Sequence, residues 1–200
     1  SLANRYNIVI ENTQEYSDNS EYSFLYQVHE EATMLYQKNL FSQPGKKALQ
    51  YLKDRNLREG TINKFRIGFA VKSWNDLLNS LNHIGPNDSL MKSGLFIRSE
   101  KGTFDRFRSR ILFPIFHQSG KVNAFGGRDF GDNDSAKYLN SPETILFDKG
   151  RSLYNYGPAR SALGKQNTLI VAEGYMDVIS LAQAGFSTAV APLGTAITEN

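Results

Sequence analysis

Two hundred residues, 40% hydrophobic and 22% charged, are enough for one packed domain, or for one domain and part of a second. The lack of cysteine excludes a disulfide framework and any thiolate metal site and fits a cytoplasmic protein, and no apolar run approaches the ~20 residues of a membrane helix. Net charge is only +3, but it is unevenly spread: residues 1–31 hold one basic and six acidic side chains, whereas 92–128 hold eight basic and two acidic. Such a basic strip either attracts phosphates or simply faces water.

The chain opens at Ser1 without a signal-peptide pattern, as a piece cut from a longer protein would. Its polar first 20 residues read as a short strand, Tyr6 to Ile10, and a linker. Phe24, Leu25, Val28, Ala32, Leu35, Tyr36 and Leu40 then mark one face of an amphipathic helix over 21–40, which Pro44-Gly45 breaks. A helix over 45–54 carries Ala48, Leu49, Tyr51 and Leu52, and a shorter one runs from Glu59 to Phe65. Ser73 is placed to cap another, with Trp74, Leu77, Leu78 and Leu81 on it and Gly85-Pro86 ending it. His29, His83 and His117 are too scattered for a ligand cluster and read as surface or packing residues.

The pattern changes after Gly102. Arg106 to Phe116 and Lys121 to Phe130, joined by His117-Gln118-Ser119-Gly120, predict a hairpin. Gly131 to Ser135 is a polar loop, and 136–160 reads as irregular. Thr168 to Ala172 is an apolar run that suits a strand buried on both faces. Tyr175 to Ala184 has helical spacing, Gly185 is a stop, and Ser187 to Ala191 is a second strand, so this stretch predicts a parallel βαβ unit. The fold class is therefore mixed α/β (α+β): a mainly helical N-terminal part, a hairpin-based sheet, then the βαβ unit, with a boundary near 150–167.

Three features carry chemistry. Glu173 ends a predicted buried strand, where ligands bind in open parallel sheets. Asp177 lies one turn on, either in the same acidic patch or simply favoured by the helix dipole. Arg106, Arg108 and Arg110 share one face if extended, which suits phosphate contacts or the wet face of a sheet. Gly126-Gly127 predicts a bulge or close backbone approach beside Arg128. No phosphate loop, nucleophile elbow or Ser-His-Asp set occurs.

Glu173-Gly-Tyr-Met-Asp-Val178, running on to Leu193-Gly-Thr195, resembles the opening of the Toprim domain of bacterial replicative primases of the DnaG type. Asp105-Arg-Phe-Arg with Phe113-Pro-Ile115, Phe125-Gly-Gly-Arg128 and Lys137-Tyr-Leu-Asn-Ser-Pro-Glu-Thr144 look like that family's other hallmark segments, in its order. Tyr51-Leu-Lys-Asp-Arg55 and Phe65-Arg-Ile-Gly-Phe69 are similar to its helical front part, and the likeness covers essentially the whole chain. The resemblance implies an N-terminal basic subdomain over 1–150 and the start of a Toprim domain over 151–200. It implies synthesis of short RNA primers from nucleoside triphosphates on a single-stranded DNA template. Glu173 would serve in metal and nucleotide chemistry with Mg²⁺ or Mn²⁺, Asp177 beside it. Arg55, Arg110, Arg128, Lys137 and Lys149 match basic positions near template or nucleotide, and Asn140 could add a hydrogen bond there.

One departure from the family pattern stands out. Its later Asp-x-Asp acids should follow the second Toprim strand, and the chain stops at Asn200 before them. Its zinc domain and its helicase-binding C-terminal domain are likewise missing; with one metal carboxylate cluster absent, the fragment alone is expected to make no primers. Two other readings stay open: a topoisomerase or nuclease of the Toprim type, and a non-catalytic module that binds single-stranded nucleic acid through 92–128.

Overall fold

A computed structural model describes residues 13–131, 136–166 and 168–194. Strand Tyr6 to Ile10, most of the polar loop (132–135) and Thr195 lie outside these.

Helix α1 spans Thr13–Leu40, eight residues more at its start than the apolar stripe marks. No Gly or Pro interrupts the stretch, so the helix runs on ahead of the stripe. Leu25, Val28, Ala32, Tyr36 and Leu40 are buried as the spacing predicts, together with two polar residues it did not mark, His29 and Thr33. Each of those two bonds locally: the Thr33 hydroxyl donates to the His29 carbonyl, and His29 Nδ1 lies 2.8 Å from the Leu25 carbonyl.

A single 3-10 turn, Gln43–Gly45, leads into α2 (Lys46–Asp54) and then α3 (Glu59–Lys64), close to the predicted ranges. The next helix, α4 (Asp76–Leu81), differs from expectation. Ser73 does not cap it but accepts the Asn75 N–H, and Trp74 lies ahead of the helix with 62% of its surface exposed. The buried carboxylate of Asp105 takes over the capping bonds, from a distant part of the chain.

Strands β1 (Gly68–Ala70), β4 (Arg110–Phe116), β5 (Val122–Asp129) and β6 (Tyr138–Asn140) form an antiparallel sheet in the order β1-β4-β5-β6. The predicted hairpin is its centre. Both faces are covered, which explains why β4 reads as continuously apolar. Ile111, Phe113 and Ile115 face one core with Phe65, Tyr154, Tyr175 and Val178. Leu112 and Phe125 face the other, against Val28, Ala32 and Tyr36 of α1. Three short elements escaped the pattern: β1, helix α5 (Asn87–Met91) and the ribbon β2 (Phe96–Ser99) with β3 (Gly102–Asp105). Each has too few apolar residues to show a period.

The predicted βαβ unit is present. β8 (Ile170–Val171) pairs in parallel with β9 (Ala189–Pro192), and α7 (Tyr175–Gln183) connects them. Gly185 ends the helix at φ +101°, as its position predicts. The strand buried on both faces is β9, however, and not β8. Val171 is 53% exposed, because β8 sits at the margin of a three-stranded sheet whose centre is β9. Strand β7 (Leu153–Tyr154) and helix α6 (Tyr156–Gln166) replace part of the supposedly irregular 136–160. Gly157-Pro158, which reads as a break, forms the first turn of α6, where a missing N–H costs nothing.

Candidate functional site

The two sheets meet through Tyr175, the first residue of α7. Its ring lies on Gly126 of β5, so closely that a β-carbon there would fall 2.3 Å from Cζ. The same ring stacks on Phe113 at 5.1 Å and meets Tyr154 edge-on at 4.7 Å. Burial pushes the phenol pKa upward, so the hydroxyl stays a donor, and it donates to Asn140 Oδ1 at 2.6 Å. The other end of that amide, Nδ2, donates 2.7 Å to the Leu193 carbonyl just past β9. Asn140 is thus pinned at both ends between β6, α7 and the end of β9.

Gly194 follows at φ +84°, a conformation that favours glycine. Where its β-carbon would stand, Lys149 Nζ and Asn140 Nδ2 are both 3.8 Å away. Lys149 opens a 3-10 turn whose start is held by acids: its own N–H donates to the Glu143 carboxylate, and Asp148 accepts the N–H of Arg151. Because β8 and β9 are parallel, Glu173 and Gly194 leave the sheet from the same edge. Glu173 is exposed there, outside the apolar interior, as is Asp177 in the first turn of α7. The Asp177 carboxylate bends back to within 3.7 Å of the site a Gly174 β-carbon would take.

A second group forms on Tyr51 of α2. The Arg55 and Arg128 guanidiniums both lie over its ring, at 5.3 and 4.6 Å from the centroid, and Phe130 packs against it. Arg128 shares its face of β5 with Gly126, since side chains two apart point the same way, and so faces the Tyr175 side. Lys137 is exposed at the start of β6, where its carbonyl accepts the Asp129 N–H.

The three arginines of 106–110 do not alternate along one strand. β3 ends at Asp105, β4 begins at Arg110, and Ser109 between them takes φ +50°. The turn nevertheless gathers all three around a cleft of about 440 Å³, with Lys72, Trp74, Asp129 and Leu139 on its other walls. Arg108 lies over the Trp74 indole at 4.3 Å. Arg106 donates to the Asn140 carbonyl, and its Nε is buried without a hydrogen-bond partner among the described residues. Arg110 is buried: it donates to the Gly127 and Ala136 carbonyls at 3.1 and 3.0 Å and pairs with Asp129. Desolvation lowers its pKa, though a guanidinium stays charged at any ordinary pH.

The expected site residues therefore fall into groups. Asn140 joins Lys149, Arg55 joins Arg128, Glu173 neighbours Asp177, while Lys137 stands at the β6 edge and Arg110 is spent on the fold. Tyr51, Trp74 and Tyr175 escaped the sequence reading as site builders. The signal available was an aromatic residue near a basic one, as in Tyr51 with Arg55. No group of three or more His, Asp or Glu converges as a metal nest among the described residues.

A family model for the DNA primase catalytic core, N-terminal domain, matches residues 35–160, and a Toprim domain model matches 167–200. A DNA primase of Clostridium acetobutylicum is 41% identical over the whole chain, which spans 33% of that protein. A DNA primase of Escherichia coli K12 is 44% identical over 87% of the chain and 30% of its own length. The chain thus spans about a third of the curated relatives it matches. Among solved structures, a DnaG primase catalytic domain bound to ssDNA superposes with a TM-score of 0.82 at 42% identity, covering 90% of this chain and 56% of that one. The RNA polymerase domain of Mycobacterium tuberculosis DnaG, in complex with a double-stranded DNA oligomer with a 6-nucleotide overhang, gives 0.84 at 36%, covering 88% and 56%. Hallmark segments, fold and these matches agree: the chain belongs to the DNA primase catalytic core family, with its last residues in a Toprim domain.

Proposed function

We propose that this chain is the front part of a primase RNA polymerase core, with a basic subdomain over 1–150 and the opening of the Toprim domain over 151–200. The complete core would extend an RNA primer on single-stranded DNA: a 3′-hydroxyl attacks the α-phosphorus of a nucleoside triphosphate, the α–β phosphoanhydride bond breaks, and pyrophosphate leaves. The observation that carries this reading is the Lys149 ammonium set beside Gly194 and the doubly anchored Asn140, on the sheet edge where Glu173 and Asp177 emerge.

Each residue then has a role. Glu173 and Asp177 offer the hard oxygen donors that suit Mg²⁺ or Mn²⁺, with further acids expected from a segment beyond residue 200. Bound there, such an ion would neutralise charge on the attacking and leaving oxygens. Lys149, Arg128, Arg55 and Lys137 face the phosphates of triphosphate and primer as fixed cations. Asn140 positions the end of β9, and Arg110 ties Gly127 of β5 to Ala136 ahead of β6. The template strand runs along the cleft of Lys72, Trp74, Arg106 and Arg108, where an exposed indole offers a stacking face and the cations track the backbone. A zinc domain ahead of this part and a helicase-binding domain behind it would place the enzyme at the replication fork.

The test uses the complete parent protein. Glu173→Gln should abolish primer synthesis and leave template affinity within about twofold, since the side chain is exposed and no phosphate contact is lost. A mere binding module would retain all its activity, and that result would refute the polymerase reading. The 200-residue chain alone should incorporate no ribonucleotides.

A further inference from the structure

Asp105, the last residue of β3, is only 2% exposed, and its hydrogen bonds therefore all go to the protein. Its carboxylate accepts the Leu77 and Leu78 N–H groups at 2.8 and 3.0 Å, which fixes the entry of α4. Its own N–H donates 2.7 Å to the Trp74 carbonyl, and its carbonyl accepts from the Arg108 guanidinium. Asn75, the residue placed to cap α4, contributes no side-chain bond. One residue therefore anchors both halves of a pair: the backbone that carries Trp74 and the guanidinium that lies 4.3 Å over its indole. Phe104, the neighbour of Asp105, completes the pair from below, edge-on to Trp74 at 5.2 Å.

We propose that Asp105 is a positioning residue that holds Trp74 and Arg108 as a preformed stacking platform for a base of single-stranded DNA. The proposal rests on the reading of the Trp74 cleft as the template path. An indole left to swing on a mobile loop would have to be ordered at each binding event, whereas a clamped one has already met that cost. The clamp also has a titratable centre. Burial, with Asp76 of α4 nearby, pushes the Asp105 carboxyl up to about 6, against the opposing pull of the two N–H groups and of Arg108; the Tyr36 phenol of α1 is the other ionisable group facing it. Lowering the pH through that value turns an oxygen that accepts an α4 N–H into a hydroxyl, a local change beside the indole, even as the fold as a whole gains from losing a buried charge.

Trp74 is the single tryptophan of the sequence, so its emission reports the platform directly. In the unaltered chain the emission should titrate with a midpoint near 6. In Asp105→Asn that transition should vanish. Affinity for a short fluorescein-labelled oligothymidylate, read by anisotropy, should fall about five- to tenfold in Asp105→Asn and in Trp74→Ala, the range expected when one stacked base is lost. Adding Asp105→Asn to Trp74→Ala should cost little more. Weaker binding in Trp74→Ala with full binding in Asp105→Asn would overturn the positioning role and leave the template path standing. Full binding in both would overturn the path and the proposal with it. Should Asp105→Asn fail to fold, Asp105→Glu, which keeps the charge but shifts the carboxylate, decides: unchanged Trp74 emission with full oligothymidylate binding defeats the proposal.

Discussion

Gly126 and Tyr175 occupy one volume between them: the ring stands where any side chain on Gly126 would have to go, 2.3 Å from its β-carbon position. The contact joins the antiparallel sheet to the βαβ unit, because Tyr175 begins α7 and Gly126 lies mid-way along β5. Gly126→Ala should therefore force the ring outward. Overpacking of this kind costs about 1–3 kcal/mol, to be read as a lowered urea midpoint. Gly127→Ala meets Phe107 at 2.8 Å instead and should disturb the opposite core without loosening α7.

Removing only the phenolic oxygen asks a finer question. Tyr175→Phe keeps the stack on Phe113 but leaves Asn140 Oδ1 without its 2.6 Å donor. A stability loss of about 1 kcal/mol is expected by thermal melting. In the complete parent protein the same change should lower primer synthesis, because Asn140 also fixes the Leu193 carbonyl beside Lys149.

The shared ring of Tyr51 gives a paired expectation. Its hydroxyl is buried with no hydrogen-bond partner among the described residues, so Tyr51→Phe should be nearly silent. Tyr51→Ala frees two guanidiniums at once, each held by about 0.5–1 kcal/mol of cation–π attraction. Nucleotide affinity should then fall as far as it does in Arg128→Ala, in a titration at fixed salt.

Two buried groups push stability in opposite directions with pH. His29 is fully buried, its ring stacked on Phe125, and desolvation brings its pKa from 6.5 down to about 4. Between those values the unfolded chain holds the extra proton, so stability falls as pH drops. Asp105 is raised from 3.8 to about 6, so over 6 to 3.8 the folded chain holds the extra proton and stability rises as pH drops. Each shift corresponds to about 3 kcal/mol, and their windows nearly coincide. Relative to the unaltered chain, His29→Leu should gain stability between pH 7 and 4.5, and Asp105→Asn should lose it, as urea midpoints at both pH values will show.

The sequence made the long elements legible and left the short ones hidden. The stripe on α1, the hairpin of β4 and β5 and the Gly185 stop all follow from period and punctuation; the paired glycines mark where side chains, Tyr175 on one face and Phe107 on the other, close on the strand, and not a bulge. The spacing of Trp74 from Leu77 and Leu81 puts it on the predicted helix; the helix instead starts at Asp76, its first N–H groups taken by the carboxylate of the distant Asp105, which no local window reveals. The alternation expected of Arg106, Arg108 and Arg110 failed on the positive φ of Ser109, which no residue preference announces. Their convergence on one cleft is a product of that turn and not of strand geometry.

Strand β7 carries a practical lesson for anyone dividing this protein. Leu153 and Tyr154 stand opposite Pro192 and Ala191 in antiparallel register, so this dipeptide belongs to the same ladder as β9. A cut at residue 160 would strip a neighbour from β9 and open an unpaired backbone margin that invites self-association.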